Sequence, residues 1–128
     1  MTTELWTLLG SVLLLFALVM VQQLHVDLTA GPKYALSNRE EKKPDTALAG
    51  RIDRAILNLR ENLIMFAPVV LVLAIAGIST GATRLGATLF LVARVVHAVT
   101  YILGIIGIRS AAWFAGIVGI GVMLSGLR

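Results

Sequence analysis

Long apolar stretches alternate with short polar breaks along the chain, and this pattern predicts an all-α protein built from four spans. The first apolar run extends from Leu5 to Leu24. As a helix it is long enough to cross a hydrocarbon core of about 30 Å. Glu4 precedes the run and Gln22 and Gln23 close it. A secretory signal would carry basic residues first and a small-residue cleavage site after, so this run reads as a mature transmembrane helix over about 5–25. The second apolar run, Leu63 to Ile78, follows a polar segment. Asp45 or Thr46 offers an N-cap just after Pro44, which predicts a helix over 46–78. That helix is about 50 Å long and overshoots the membrane. Its polar first turns belong in water or in a protein-lined cavity, and Pro68 can kink it.

Ser79-Thr80-Gly81 reads as a tight turn. A third helix is expected over 83–106. Gly104, Gly107 and Arg109 mark another short connection, and a fourth helix is expected over 109–127. Gly116, Gly119 and Gly121 in that helix are the small residues that let helices approach closely in lipid. The connection over 26–45 is long for a compact bundle. Within it, Ser37-Asn38-Arg39-Glu40 fits a capping box, but Pro44 stops any helix soon after. The run Arg39-Glu40-Glu41-Lys42-Lys43 mixes both signs and reads as a solvated interfacial loop. The expectation is one domain over 1–128, an integral-membrane four-helix bundle.

Composition reinforces the pattern. Of 128 residues, 58% are hydrophobic and 14% charged, with a mean hydropathy of +0.90. An aqueous fold of this length cannot hide so much apolar surface, so the bilayer is the solvent. There is no cysteine, which excludes disulfides, thiolate metal sites and a cysteine nucleophile. If thiol chemistry occurs, the thiol belongs to a ligand. Net charge is +4, which points to membrane topology and anionic headgroups. No basic stripe with interleaved aromatics suggests nucleic acid. Lys33, Arg39, Lys42, Lys43 and Arg51 flank the first loop and Arg109 the third, against Arg84 and Arg128 on the other side. The first and third loops are therefore expected to face the cytoplasm, with both termini on the opposite side.

Polar residues inside the spans carry the candidate chemistry. Arg54, Asn58 and Glu61 fall at i, i+4 and i+7, one face of a helix. Arg94, His97 and Tyr101 fall at i, i+3 and i+7, again one face. Arg109 and Ser110 begin the fourth helix at the same end. Arg94 lies about 15 Å along its helix, near the midplane. A lone arginine there costs about 2.5–3.5 kcal/mol even on lenient scales, so it should find an anion. Glu61 is the only carboxylate deep enough, which predicts an Arg94–Glu61 pair. Arg54 and Arg109 offer forked donors for carboxylates. Glu61 can receive an ammonium, and Asn58, His97 and Tyr101 can hydrogen-bond. This set suits a small zwitterion with an extra carboxylate. No His/Asp/Glu cluster has metal-ligand spacing, so no metal is expected.

RAILNLRE at 54–61 resembles the R-A-x-x-N-x-x-E signature of the MAPEG family, membrane-associated proteins in eicosanoid and glutathione metabolism. ARVVHAVTY at 93–101 resembles that family's R-x-x-H-x-x-x-Y helix, and IRSAAW at 108–113 its arginine–serine turn. YALSNREE at 34–41 resembles the cytoplasmic loop of compact bacterial members. The resemblance implies a homotrimer that binds glutathione as co-substrate between protomers near the cytoplasmic face. It implies that Arg54, Asn58, Glu61, His97, Tyr101 and Arg109 contact glutathione, with Arg94 and Glu61 as mutual structural support. Arg109 and Ser110 would be catalytic, stabilising the thiolate. The chain departs from several animal members at Leu57, where they carry a second arginine, and at Trp113, where some carry tyrosine.

The reading is a multi-pass protein of the bacterial inner membrane, a glutathione-dependent transferase or peroxidase acting on lipophilic electrophiles that enter from the surrounding lipid. The competing reading is a non-catalytic accessory subunit of a larger membrane complex. It would keep the polar cluster as a helix clamp or as a lipid or small-ligand site.

Overall fold

The computed structural model describes residues 1–43 and 45–127, which form five helices: α1 (Thr3–Ala30), α2 (Pro32–Ala35), α3 (Ala47–Ile75), α4 (Gly81–Leu103) and α5 (Ile106–Ser125). Pro44, read above as a helix stop, and Arg128, used in the topology count, lie outside the described residues. There is no strand among the described residues. The four long helices are each long and apolar enough to cross a membrane. Large apolar side chains such as Trp6, Phe16, Ile75 and Phe114 stand exposed along them, as lipid-facing residues do.

The ends of the helices follow local chemistry. Thr46 caps α3, its hydroxyl accepting from the Ala49 N–H at 3.0 Å. The helix runs on through Pro68, whose missing N–H leaves one carbonyl of the previous turn without its usual donor. Thr80 caps α4 in a reciprocal capping box with Thr83. At the far end of α4, Gly104 takes φ 77°. The Ile105 N–H reaches back to the Thr100 carbonyl and the Gly104 N–H to that of Tyr101. This left-handed closure favours glycine.

Several boundaries differ from the sequence expectation. The first helix continues to Ala30, because nothing from Val26 to Ala30 breaks it before Gly31. Among the described residues of the connection the one helix, Pro32–Ala35, precedes Ser37 rather than following it. Ser37 accepts instead from the Arg39 N–H in a local turn. The loop is tied down: Lys43 bridges Asp53 at 2.6 Å, Gln22 donates to the other oxygen of Asp53 at 2.6 Å, and His25 contacts Thr46 at 2.9 Å. The last helix begins at Ile106, which puts Arg109 and Ser110 inside its opening turns.

Two apolar clusters form the core. Leu18, Ile52, Ala55, Ile56, Leu59 and Ala98 pack at the loop end. Phe66, Val70, Leu73, Ala87, Phe90 and Met123 pack at the other end, where the Phe66 and Phe90 rings stack with centroids 3.8 Å apart. The closest pairing is α4 on α5. A Cβ at Gly86 would overlap the Gly119 carbonyl, and one at Gly119 would overlap the Gly86 carbonyl, so the two backbones touch.

Away from the loop end, Glu4 is buried at 1% exposure. It accepts from the Thr83 hydroxyl at 2.5 Å and from the Ser79 hydroxyl at 3.2 Å. This carboxylate pins α1 to the start of α4.

Candidate functional site

The site is built at the loop end by the first half of α3, the last half of α4 and the opening turns of α5. Its hub is Tyr101, half-buried on α4. The Arg109 guanidinium lies over the Tyr101 ring, 4.6 Å from its centroid, and that of Arg54 lies 5.9 Å away. Cation–π contacts at such positions contribute about 0.5–1 kcal/mol each. His97, one turn back on α4, is buried and packs edge-on to Tyr101 at 5.4 Å. Four of the predicted residues, Arg54, His97, Tyr101 and Arg109, therefore gather from three helices. Neither Arg54 nor Arg109 has a carboxylate partner; the ion pair found among the described residues is Lys43–Asp53.

Arg94 sits deeper, between the two apolar clusters, at 1% exposure. The expected Arg94–Glu61 pair is not formed within the chain. Arg94 instead donates to the Asn58 side-chain oxygen at 3.0 Å and to the carbonyls of Ala112 and Trp113 at 3.1 and 3.0 Å. Its Nε has no partner. The guanidinium fills the space beside Gly116, where any Cβ would overlap it. The reason is the rotation of α3. Ala55, Leu59, Asn62 and Phe66 point inward, Asn58 stands at the border, and Arg54 and Glu61 point outward and are exposed. Asn58 thus reaches Arg94 first, and backbone dipoles of α5 supply the rest of the negative partner. Asn62, buried beside it, donates to Asn58.

Ser110 is exposed next to Arg109, and its hydroxyl is turned back to the Ile106 carbonyl at 3.4 Å. Glu61 makes no hydrogen bond or ion pair among the described residues. An apolar groove of about 290 Å³ lies between α4 and α5, lined by Val92, Ala93, Val96, Ile108 and Ala112 among others. It runs beside the helical turn that carries Arg109. A larger depression of about 660 Å³ lies in the loop among Lys33, Arg39, Glu40 and Lys42, and it includes none of the predicted site residues. No cluster of metal-ligating side chains occurs among the described residues.

One residue at the site and one buried carboxylate at the opposite end of the bundle escaped the sequence reading. Arg51, one turn before Arg54, has a buried Nε with no partner and lies against Gly104. Its i, i+3, i+7 relation to Arg54 and Asn58 was the available signal. Glu4 lies in register with Thr7 and Ser11, and all three are buried. That spacing marks a polar stripe on α1.

The fold and this site define a multi-pass helical membrane protein with two guanidiniums that form no ion pair among the described residues, gathered around a tyrosine at one end of the bundle. The chain belongs to the MAPEG family, whose model matches residues 3–127. No individual curated protein matches it. It is thus a membrane protein of the family tied to glutathione and eicosanoid metabolism.

Proposed function

We propose that the protein is a glutathione-dependent transferase or peroxidase for lipophilic electrophiles, acting as a homotrimer in the inner membrane with its termini on the periplasmic side. The observation that carries this reading is the pair of guanidiniums, Arg54 and Arg109, held on one tyrosine ring with no ion pair to a carboxylate among the described residues. Such a pair fits a small ligand that brings its own anions. Glu61 suits an ammonium, and Asn58 and His97 can bond peptide groups.

In this reading Arg109 and Ser110 act on the thiol. A free thiol with a pKa of about 8.5 is mostly protonated near neutrality, and a neighbouring guanidinium favours the anion. Ser110 needs only to rotate its hydroxyl from the Ile106 carbonyl to add a donor. The groove between α4 and α5 opens beside this turn and is apolar, which suits a second substrate arriving from lipid. In the transfer reaction the sulfur anion attacks an electrophilic carbon, forms the C–S bond and expels the leaving group.

Exposed Glu61 supports the trimer. It lies 14 residues before the end of α3 at Ile75, about 21 Å along the helix from that end and so still within a hydrocarbon core of about 30 Å. A carboxylate facing lipid at that depth is costly, so a neighbouring protomer or the ligand should cover it.

Binding of glutathione to the purified protein in detergent, followed by ultraviolet absorbance of the thiolate, tests the proposal. Saturable binding with a thiolate band is expected, and Arg109→Ala should abolish the band while the melting temperature holds. Absence of both binding and band in the native protein would instead favour the accessory-subunit reading. In that reading the Arg94–Asn58 contact is purely a helix clamp.

A further inference from the structure

We propose that Arg51 makes the site selective for a ligand bearing two carboxylates. This inference rests on the glutathione reading and extends it. Arg51, Arg54, Asn58 and Glu61 follow one another at i, i+3, i+7 and i+10, a single stripe along α3. The Arg51 guanidinium lies against Gly104, where a Cβ would overlap its Nη1. Gly104 closes α4 three residues beyond Tyr101. Arg51 is thereby brought to the corner of the molecule that already holds Arg54, Arg109 and Tyr101. Its Nε–H is buried with no acceptor. Asp53, the nearest carboxylate in sequence, is engaged by Lys43 and Gln22.

Charge matching gives this arrangement a purpose. Glutathione in its thiolate form carries two carboxylates, one sulfur anion and one ammonium. Arg54 and Arg109 provide two guanidiniums for three anionic groups. Arg51 provides the third, and Glu61 matches the ammonium. Beyond the enclosed Nε, the half-buried Arg51 guanidinium makes no hydrogen bond or ion pair among the described residues, and its terminal nitrogens can offer a ligand carboxylate a charge-assisted bond. The competing role for Arg51 is structural, as a cation placed at the carbonyl end of α4. The two roles differ in what they predict for ligands that lack one carboxylate.

The test is binding by the full-length protein in detergent, measured calorimetrically with three probes. These are glutathione, its glycine ethyl ester, and the analogue that lacks the α-carboxylate of the glutamyl residue. Arg51→Ala should weaken glutathione binding roughly tenfold or more. It should leave unchanged the affinity for whichever analogue lacks the carboxylate that Arg51 holds. Arg51→Lys keeps the charge but not the forked guanidinium; it should show the same analogue pattern with a smaller loss, and it carries the test if the alanine variant does not fold. Unaltered glutathione affinity in both variants, or an equal loss for all three probes, would overturn the role of Arg51 while leaving the glutathione reading in place. Failure of the native protein to bind glutathione would overturn both.

Discussion

Arg94 shows how a buried charge is settled one residue at a time. Its two terminal nitrogens are satisfied by Asn58 and by two carbonyls of α5, its Nε is left without a partner, and no anion among the described residues pairs with it. Removing Asn58 should therefore hurt the fold more than removing Glu61. Asn58→Ala strands one Arg94 nitrogen in a medium without water, at a cost of about 1–3 kcal/mol. Glu61 makes no contact with Arg94 in the protomer, so Glu61→Ala strands no Arg94 nitrogen. Thermal unfolding in detergent should show a larger drop in melting temperature for Asn58→Ala than for Glu61→Ala. The reverse order would return Glu61 to the side of Arg94. That Arg94 is buried and faces protein was legible in the sequence, since a lone charge in lipid must find partners. Which partner it finds was not. Helical spacing fixes which residues share a face, but not how that face is rotated toward its neighbours. Backbone carbonyls carry no sequence signature at all. For the same reason, Arg54, His97, Tyr101 and Arg109 were legible as one group, while Arg51 was seen only as a topological charge.

At the scale of elements, the four spans were legible because bilayer thickness demands long apolar runs, and the start of α3 was legible through its Thr46 cap. The end of α1 was not, because helix-compatible residues continue past the apolar run as far as Gly31. The α4–α5 contact makes the point more sharply. Gly116, Gly119 and Gly121 are all small, yet only the first two meet another helix or side chain; around Gly121 there is open space. Gly119 follows Gly116 by three residues and shares its face, whereas Gly121 is turned away. The partner of Gly119, Gly86, could not be chosen without knowing which faces meet. Gly86→Ala should force the two backbones apart, since its Cβ would collide with the Gly119 carbonyl and with Met123. A loss of about 1–3 kcal/mol or more is expected, read as a lower melting temperature. Gly121→Ala should be neutral or mildly stabilising, because alanine is the better helix former and nothing opposes it. Equal effects of the two substitutions would contradict this packing.

For the whole molecule, the outward side of α3 is the unresolved demand of the fold. Arg54, Leu57, Glu61, Ile64 and Leu71 are exposed along one side of a membrane-spanning helix. The apolar members would be content in lipid, but Glu61 would not. In the proposed trimer, further copies of the chain would bury that stripe, remove the conflict and let Glu61 contribute to the proposed site. The outer side of α5, where Phe114 is exposed, carries no charge and has no such need. The absence of native cysteine makes the comparison clean. A single cysteine introduced as Ile64→Cys should give cross-linked dimers in intact membranes, and Phe114→Cys should not. Native mass measurement of the unmodified protein in detergent should return three protomers. Cross-linking at Phe114 but not at Ile64 would place the interface on the wrong helix, and a monomeric mass would leave Glu61 facing lipid, which the energetics of a membrane carboxylate disfavour.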